Sequence, residues 1–232
     1  EGVRAEVGAM MFMEEGIRME TGTGGGIFKG LKRMLSGDGF FICTFYNSAN
    51  IKRCVSFGAP YPGKIIALDL QQVGGTFICQ KDSFLCAANG IDIDIAFTKR
   101  MGAGLFGGEG FILQRLTGNG LAFVHAGGMI IKRELRQGET LRVDTGCIVA
   151  MSPTVDYDIQ FVGGFKNALF GGEGMFLASL TGPGTIYLQS LPLSRLADRI
   201  VSSSHGSREE SRGIGGIGGD LLGGLLGGDR KF

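Results

Sequence analysis

The sequence predicts an all-β body built from three diverged copies of one unit of roughly 70 residues. Three observations carry this. A G-[DE]-G segment recurs with its following turn, a strictly alternating segment stands upstream of each copy, and glycine (43 of 232 residues) punctuates the chain at turn positions.

Two copies match almost residue for residue. Leu105-Phe106-Gly107-Gly108-Glu109-Gly110-Phe111 runs on to Leu116-Thr117-Gly118-Asn119-Gly120, and Leu169-Phe170-Gly171-Gly172-Glu173-Gly174-Met175 runs on to Leu180-Thr181-Gly182-Pro183-Gly184. A weaker copy comes first, Met34-Leu35-Ser36-Gly37-Asp38-Gly39-Phe40. Its later Pro62-Gly63-Lys64-Ile65-Ile66-Ala67-Leu68 resembles Pro183-Gly184-Thr185-Ile186-Tyr187-Leu188, which leaves about residues 46 to 57 as an inserted loop or hairpin. Gly37, Gly108 and Gly172 are then expected at equivalent points.

The alternating segments are Ile17-Arg18-Met19-Glu20, Ile91-Asp92-Ile93-Asp94-Ile95 and Val155-Asp156-Tyr157-Asp158-Ile159. Alternation with period two marks a strand with one buried and one wet face. Before each lies a short apolar run: Met10 to Met13, Phe84 to Ala88, Cys147 to Met151. The joining residues, Asn89-Gly90 above all, predict a hairpin in each unit. A glycine-rich crossing then leads to the G-[DE]-G strand, a turn, and a last strand. Such units total roughly 12 to 16 short strands, arranged as a sandwich, barrel or prism with pseudo-threefold symmetry, since no long helical pattern separates them.

Residues 1–192 are thus expected to form a single β domain, with repeats at about 3–70, 71–142 and 143–192. Beyond Pro192, Leu193, Leu196, Ile200 and Val201 recur at helical spacing and predict one short helix. Ser202 to Arg212 reads as a polar linker, and residues 213–232 as a tail rich in glycine and leucine. Ile214, Ile217, Leu221, Leu222, Leu225 and Leu226 predict docking of that tail on the β body, a neighbouring subunit or a membrane surface.

Twenty-three basic against 22 acidic residues give a net charge of +1, which argues against nucleic acid as a partner. Lys29, Lys32 and Arg33 make a local basic cluster that reads as a solvated loop. Five cysteines (Cys43, Cys54, Cys79, Cys86, Cys147) show no C-x-x-C pair, and most lie in apolar stretches. They are expected to be reduced and without a catalytic role. With no charged-then-apolar leader and no run of 18 apolar residues, a cytoplasmic location is expected.

Chemical motifs are weak. Gly102-Ala103-Gly104-Leu105-Phe106-Gly107 and Gly213-Ile214-Gly215-Gly216-Ile217-Gly218 satisfy G-x-G-x-x-G, but the first opens a strand and the second is low-complexity. Asp38, Glu109 and Glu173 would converge on a threefold axis as an oxygen-rich cation site, or satisfy amides of their own turns. Asp92, Asp94, Asp156 and Asp158 read as solvated strand faces, His125 as a strand-end residue, and His205 as part of the linker. No catalytic, cofactor-binding or metal-binding residue is assigned, and no cofactor is expected.

The threefold G-[DE]-G strand start, the L-T-G-x-G turn and the closing Ile186-Tyr187-Leu188-Gln189 together resemble the altered inheritance of mitochondria protein 24 family over about residues 3 to 192. That resemblance implies a β-prism of double-stranded β-helix type, similar in fold to the tryptophan RNA-binding attenuation protein. It also implies a link to membrane organisation through mitochondrial relatives. The expected function is a non-enzymatic, self-associating β scaffold or interaction protein, a homo-oligomer with a protein or peripheral membrane partner through its tail. The alternative is a small-ligand or RNA-binding protein using a barrel mouth or ring face.

Overall fold

A computed structural model describes residues 1–22, 42–99, 110–162 and 175–212. The chain divides into two compact units, Glu1–Pro192 and Leu193–Phe232. The described residues of the first unit are almost wholly β. In order they form β1 (Gly2–Glu6), β2 (Met10–Met13), β3 (Ile17–Gly22), β4 (Ile42–Asn47), β5 (Val55–Phe57) and β6 (Gly63–Asp69). The chain continues through β7 (Thr76–Gln80), β8 (Phe84–Ala88), β9 (Asp92–Lys99), β10 (Phe111–Thr117), β11 (Leu121–Gly127) and β12 (Ile130–Leu135). It closes with β13 (Thr140–Asp144), β14 (Ile148–Met151), β15 (Asp156–Val162), β16 (Met175–Thr181) and β17 (Gly184–Gln189). Short 3-10 turns at Lys81–Ser83 and Thr145–Cys147 join β7 to β8 and β13 to β14.

The strands form four antiparallel sheets: β3-β4-β1-β8-β11-β6, β12-β17-β14-β7-β10-β9, β13-β16-β15 and β2-β5. A barrel requires the first and last strands of a sheet to pair with each other. Among the described residues each of these orders instead ends on a strand with one neighbour, so of the expected sandwich, barrel or prism the closed barrel is not formed and the sheets are open.

The pairings repeat. β4 lies between β3 and β1, β10 between β9 and β7, and β16 between β15 and β13. β5 pairs with β2, β11 with β8, and β17 with β14. Each of those three pairings carries a bulge on the apolar strand, where Met11, Leu85 and Val149 are the extra residues. Two further contacts join the sets: β1 with β8, and β7 with β14.

These pairings correct three expectations. Residues 46–57 are not a mere insertion, because β5 lies there and bonds to β2 as β17 bonds to β14. By the same test Gly63–Asp69 does not correspond to Gly184–Gln189: β6 flanks β11 as β12 flanks β17. Nor does Asn89-Gly90 close a hairpin, since β8 and β9 belong to different sheets. A two-residue type I′ turn needs positive φ at both central positions. Gly90 is not among the glycines that have one. The antiparallel neighbours β9 and β10 are instead those flanking the glycine-rich segment.

Burial explains why the apolar runs behave this way. Phe84, Leu85, Cys86 and Ala87 of β8 are all buried, as are Ile148 through Met151 of β14, so these strands are covered on both faces. β9 keeps the predicted alternation, with Ile93 buried between exposed Asp92 and Asp94. The largest apolar cluster gathers Ile42, Leu68, Phe77, Phe84, Leu116 and Val124, and a second gathers Phe111, Leu113, Ile148, Ile159, Leu180 and Ile186. Strands from different sheets feed each cluster, which places the cores between sheets.

The second unit contains α1 (Leu193–Arg212), 20 residues long. It continues through the stretch read as a linker, because Ser202 to Arg212 contains no proline to stop it.

Candidate functional site

Several sequence-predicted positions lie outside the described residues: Lys29, Lys32, Arg33, Gly37, Asp38, Gly108, Glu109, Gly172, Glu173, both G-x-G-x-x-G segments and residues 213–232. The strand carboxylates are described and exposed. Asp92 sits 3.5 Å from the Arg4 guanidinium, Asp156 accepts from the Tyr157 backbone N–H, and Asp158 accepts from Gln160. Among the described residues no group of three or more Asp, Glu, His or Cys side chains is placed to hold a metal. The five cysteines are free thiols, with Cys43, Cys79 and Cys86 buried, Cys147 partly so and Cys54 exposed. Burial pushes the Cys86 thiol up to about 11 and Cys79 further still, which removes the thiolate needed for nucleophilic chemistry.

The structure brings together one polar cluster that sequence reasoning missed. His125 stands inside β11, not at its end, and is 1% exposed. Its ring meets Tyr61 edge-on at 4.3 Å, and neither ring nitrogen has a hydrogen-bond partner. Burial pushes the imidazole pKa down; the Tyr61 backbone acts in the opposite sense without reaching hydrogen-bond geometry. Glu6, at the end of β1, is pushed up to about 7 by burial first, then by Asp82, with Lys81 opposing. Tyr61 is pushed up to about 12 by burial, Asp82 and Glu6. The 3-10 turn supplies Lys81 and Asp82, and the Gln80 amide holds the Asp82 carboxylate at 3.1 Å.

This cluster stores weak acids, but no hydrogen bond links His125 to a hydroxyl, thiol or carboxylate, so it has no nucleophile–base pair. The sequence signal was slight: one histidine between Val124 and Ala126 in an apolar strand.

The second feature is apolar and exposed. β2 leaves Met11, Phe12 and Met13 at 65%, 57% and 41% exposure. Among the described residues one edge of β2 pairs with β5 and the other with no strand, and the edge of β13 away from β16 is likewise unpaired. Further exposed apolar residues stand on other edge strands, including Met19 on β3, Ile65 on β6 and Ile131 on β12. Among the described residues no helix is long and apolar enough to cross a membrane.

A mostly β body with open sheets is a class of fold before it is a function. Comparison with known proteins places it. The family model for Mitochondrial biogenesis AIM24 matches residues 1–191, and the chain belongs to that family. It is 30% identical over 206 residues to an uncharacterized protein of Streptococcus pyogenes serotype M6, covering 85% of this chain and 80% of that one. It also resembles the X-ray crystal structure of a Streptococcus pyogenes protein from a structural genomics consortium. That match has a TM-score of 0.70 and 26% identity, over 87% of this chain and 89% of the other.

Proposed function

We propose that the chain is a non-enzymatic, self-associating β scaffold, cytoplasmic, whose main partner is a second copy of itself. The observation that carries this is the set of open sheet edges with exposed apolar side chains, above all Met11, Phe12 and Met13 on β2. An unpaired edge offers a row of backbone donors and acceptors, and proteins that keep such edges commonly satisfy them by assembly. The threefold recurrence of strand pairing supports a pseudo-threefold prism as the scaffold's body. Family membership supports a role in membrane organisation, with the leucine-rich residues 213–232 as the attachment to a protein or a membrane surface.

Light scattering and native mass spectrometry of the full chain test the reading. A species larger than the 24.5 kDa monomer is expected; a monomer at every concentration up to about 100 μM, where interfaces of even modest affinity fill, would sink it. Deleting residues 213–232 should lower the membrane-bound or oligomeric fraction. The small-ligand alternative has one observation in its favour, the unpartnered His125 ring beside Tyr61. Co-purifying mass in native spectra would raise that reading above the scaffold.

A further inference from the structure

We propose that the unpaired edge of β13 in one copy pairs antiparallel with the unpaired edge of β2 in a second copy, with Arg142 opposite Met13 and Val143 opposite Phe12. This rests on the self-association reading and names the surfaces that carry it.

The chain contains its own templates for the junction. β1 pairs with β8 through Arg4↔Ala87 and Ala5↔Cys86, and β7 pairs with β14 through Ile78↔Met151 and Cys79↔Ala150. The strands on either side fix which residues correspond. Cys43, Gln114 and Ala178 stand opposite Ala5, Cys79 and Val143 respectively. On the other side, the bulge sets Phe12, Cys86 and Ala150 in one position and Met13, Ala87 and Met151 in the next. Carrying the two observed registers to the third set therefore matches Val143 with Phe12 and Arg142 with Met13.

Among the described residues that third junction is not made. β13 ends a sheet with β16 and β15, and β2 pairs with β5 alone. The effect on burial is large. At the two made junctions Leu85, Cys86 and Ala87 are 2%, 7% and 1% exposed, and Val149, Ala150 and Met151 are 0%, 1% and 0%. At the unmade one the corresponding Met11, Phe12 and Met13 are 65%, 57% and 41% exposed. A strand of apolar residues built for cover on both faces lacks its neighbour, and no described strand pairs with the outer edge of β13 at Arg142 and Val143. Charge agrees with the match: Arg142 would lie beside exposed Glu14 and Glu15, which follow directly on β2. Because the two surfaces differ, the contact is head-to-tail, and it builds rings or filaments according to whether the rotation closes.

Cysteine cross-linking tests the register. In a Cys54→Ser, Cys147→Ser background, Met13→Cys and Arg142→Cys are made singly and mixed under mild oxidation. Directly opposed positions suit a disulfide and positions slipped by two residues do not, so the mixture should give about tenfold more dimer than Met13→Cys mixed with Thr140→Cys. Neither single variant alone should match it. If the unsubstituted chain is oligomeric by light scattering but the mixture gives no excess dimer, the junction is wrong and self-association uses another edge. If a chain carrying both Met13→Cys and Arg142→Cys forms its disulfide within a monomer, the junction closes inside one chain and the inference also falls. A strictly monomeric unsubstituted chain overturns both this and the scaffold reading.

Discussion

Glu6, Gln80 and Asp144 occupy the same step of three equivalent strands, opposite Ile42, Leu113 and Leu177. The Glu6 pKa is held near 7, because burial and Asp82 both disfavour its charge. A raised carboxyl pKa means the folded state holds a proton that the unfolded state has released. Stability should therefore fall as pH rises from about 4.5 to about 7, then stay level. Glu6→Gln copies the residue the chain already uses at Gln80. It should remove that slope and gain about 1–2 kcal/mol at pH 8, the shift discounted for partial exposure, as measured by urea melts across pH. His125 acts with the opposite sign: its lowered pKa costs stability as pH falls below 6.5. His125→Phe keeps the edge-on contact with Tyr61, removes two unpartnered nitrogens, and should stabilise the fold by about 1 kcal/mol at pH 5.5. A destabilised variant would show that water or a ligand satisfies the ring.

At the scale of elements, the sequence showed where strands run but not which of them meet. Ile91-Asp92-Ile93-Asp94-Ile95 and Val155-Asp156-Tyr157-Asp158-Ile159 were legible because side-chain alternation is a local property, and β9 and β15 lie where it put them. Partnership is not local: β1 takes β4 and β8 as neighbours, and the bonds are set by burial of remote faces. His125 was misjudged for the same reason, since its cover comes from Tyr61 and from β6. The seam between β6 and β11 makes a prediction of its own. A Cβ added at Gly63 would collide with the Ala126 carbonyl oxygen and crowd the His125 ring. Backbone cannot yield there without opening the ladder, so Gly63→Ala should cost about 2–4 kcal/mol, read from the denaturant midpoint. Gly74→Ala is the control for the general effect of losing a positive-φ glycine, at φ 84 with open space around it, and should cost only about 1 kcal/mol.

For the whole molecule, open edges predict behaviour that depends on concentration. Phe12→Lys puts a charge at an exposed position, so it should leave monomer stability within about 0.5 kcal/mol while lowering the oligomer population in sedimentation profiles. Unchanged sedimentation would remove β2 from the assembly surface.

The placement of β6 and β12 has a consequence for how the chain acquires its shape. Each lies between two of the recurring strand sets β1–β5, β7–β11 and β13–β17 and flanks the last strand of the later one, β11 and β17. A repeat cut out at its sequence boundary would lose a neighbour its last strand depends on. The copies are interlaced, unlike the stacked repeats of a solenoid, which fold by adding one unit to the next. Unfolding of residues 1–192 should therefore be a single transition, with circular dichroism and tyrosine fluorescence changing together. The same interlacing demands many contacts between distant parts of the chain before any sheet is complete, which favours slow folding.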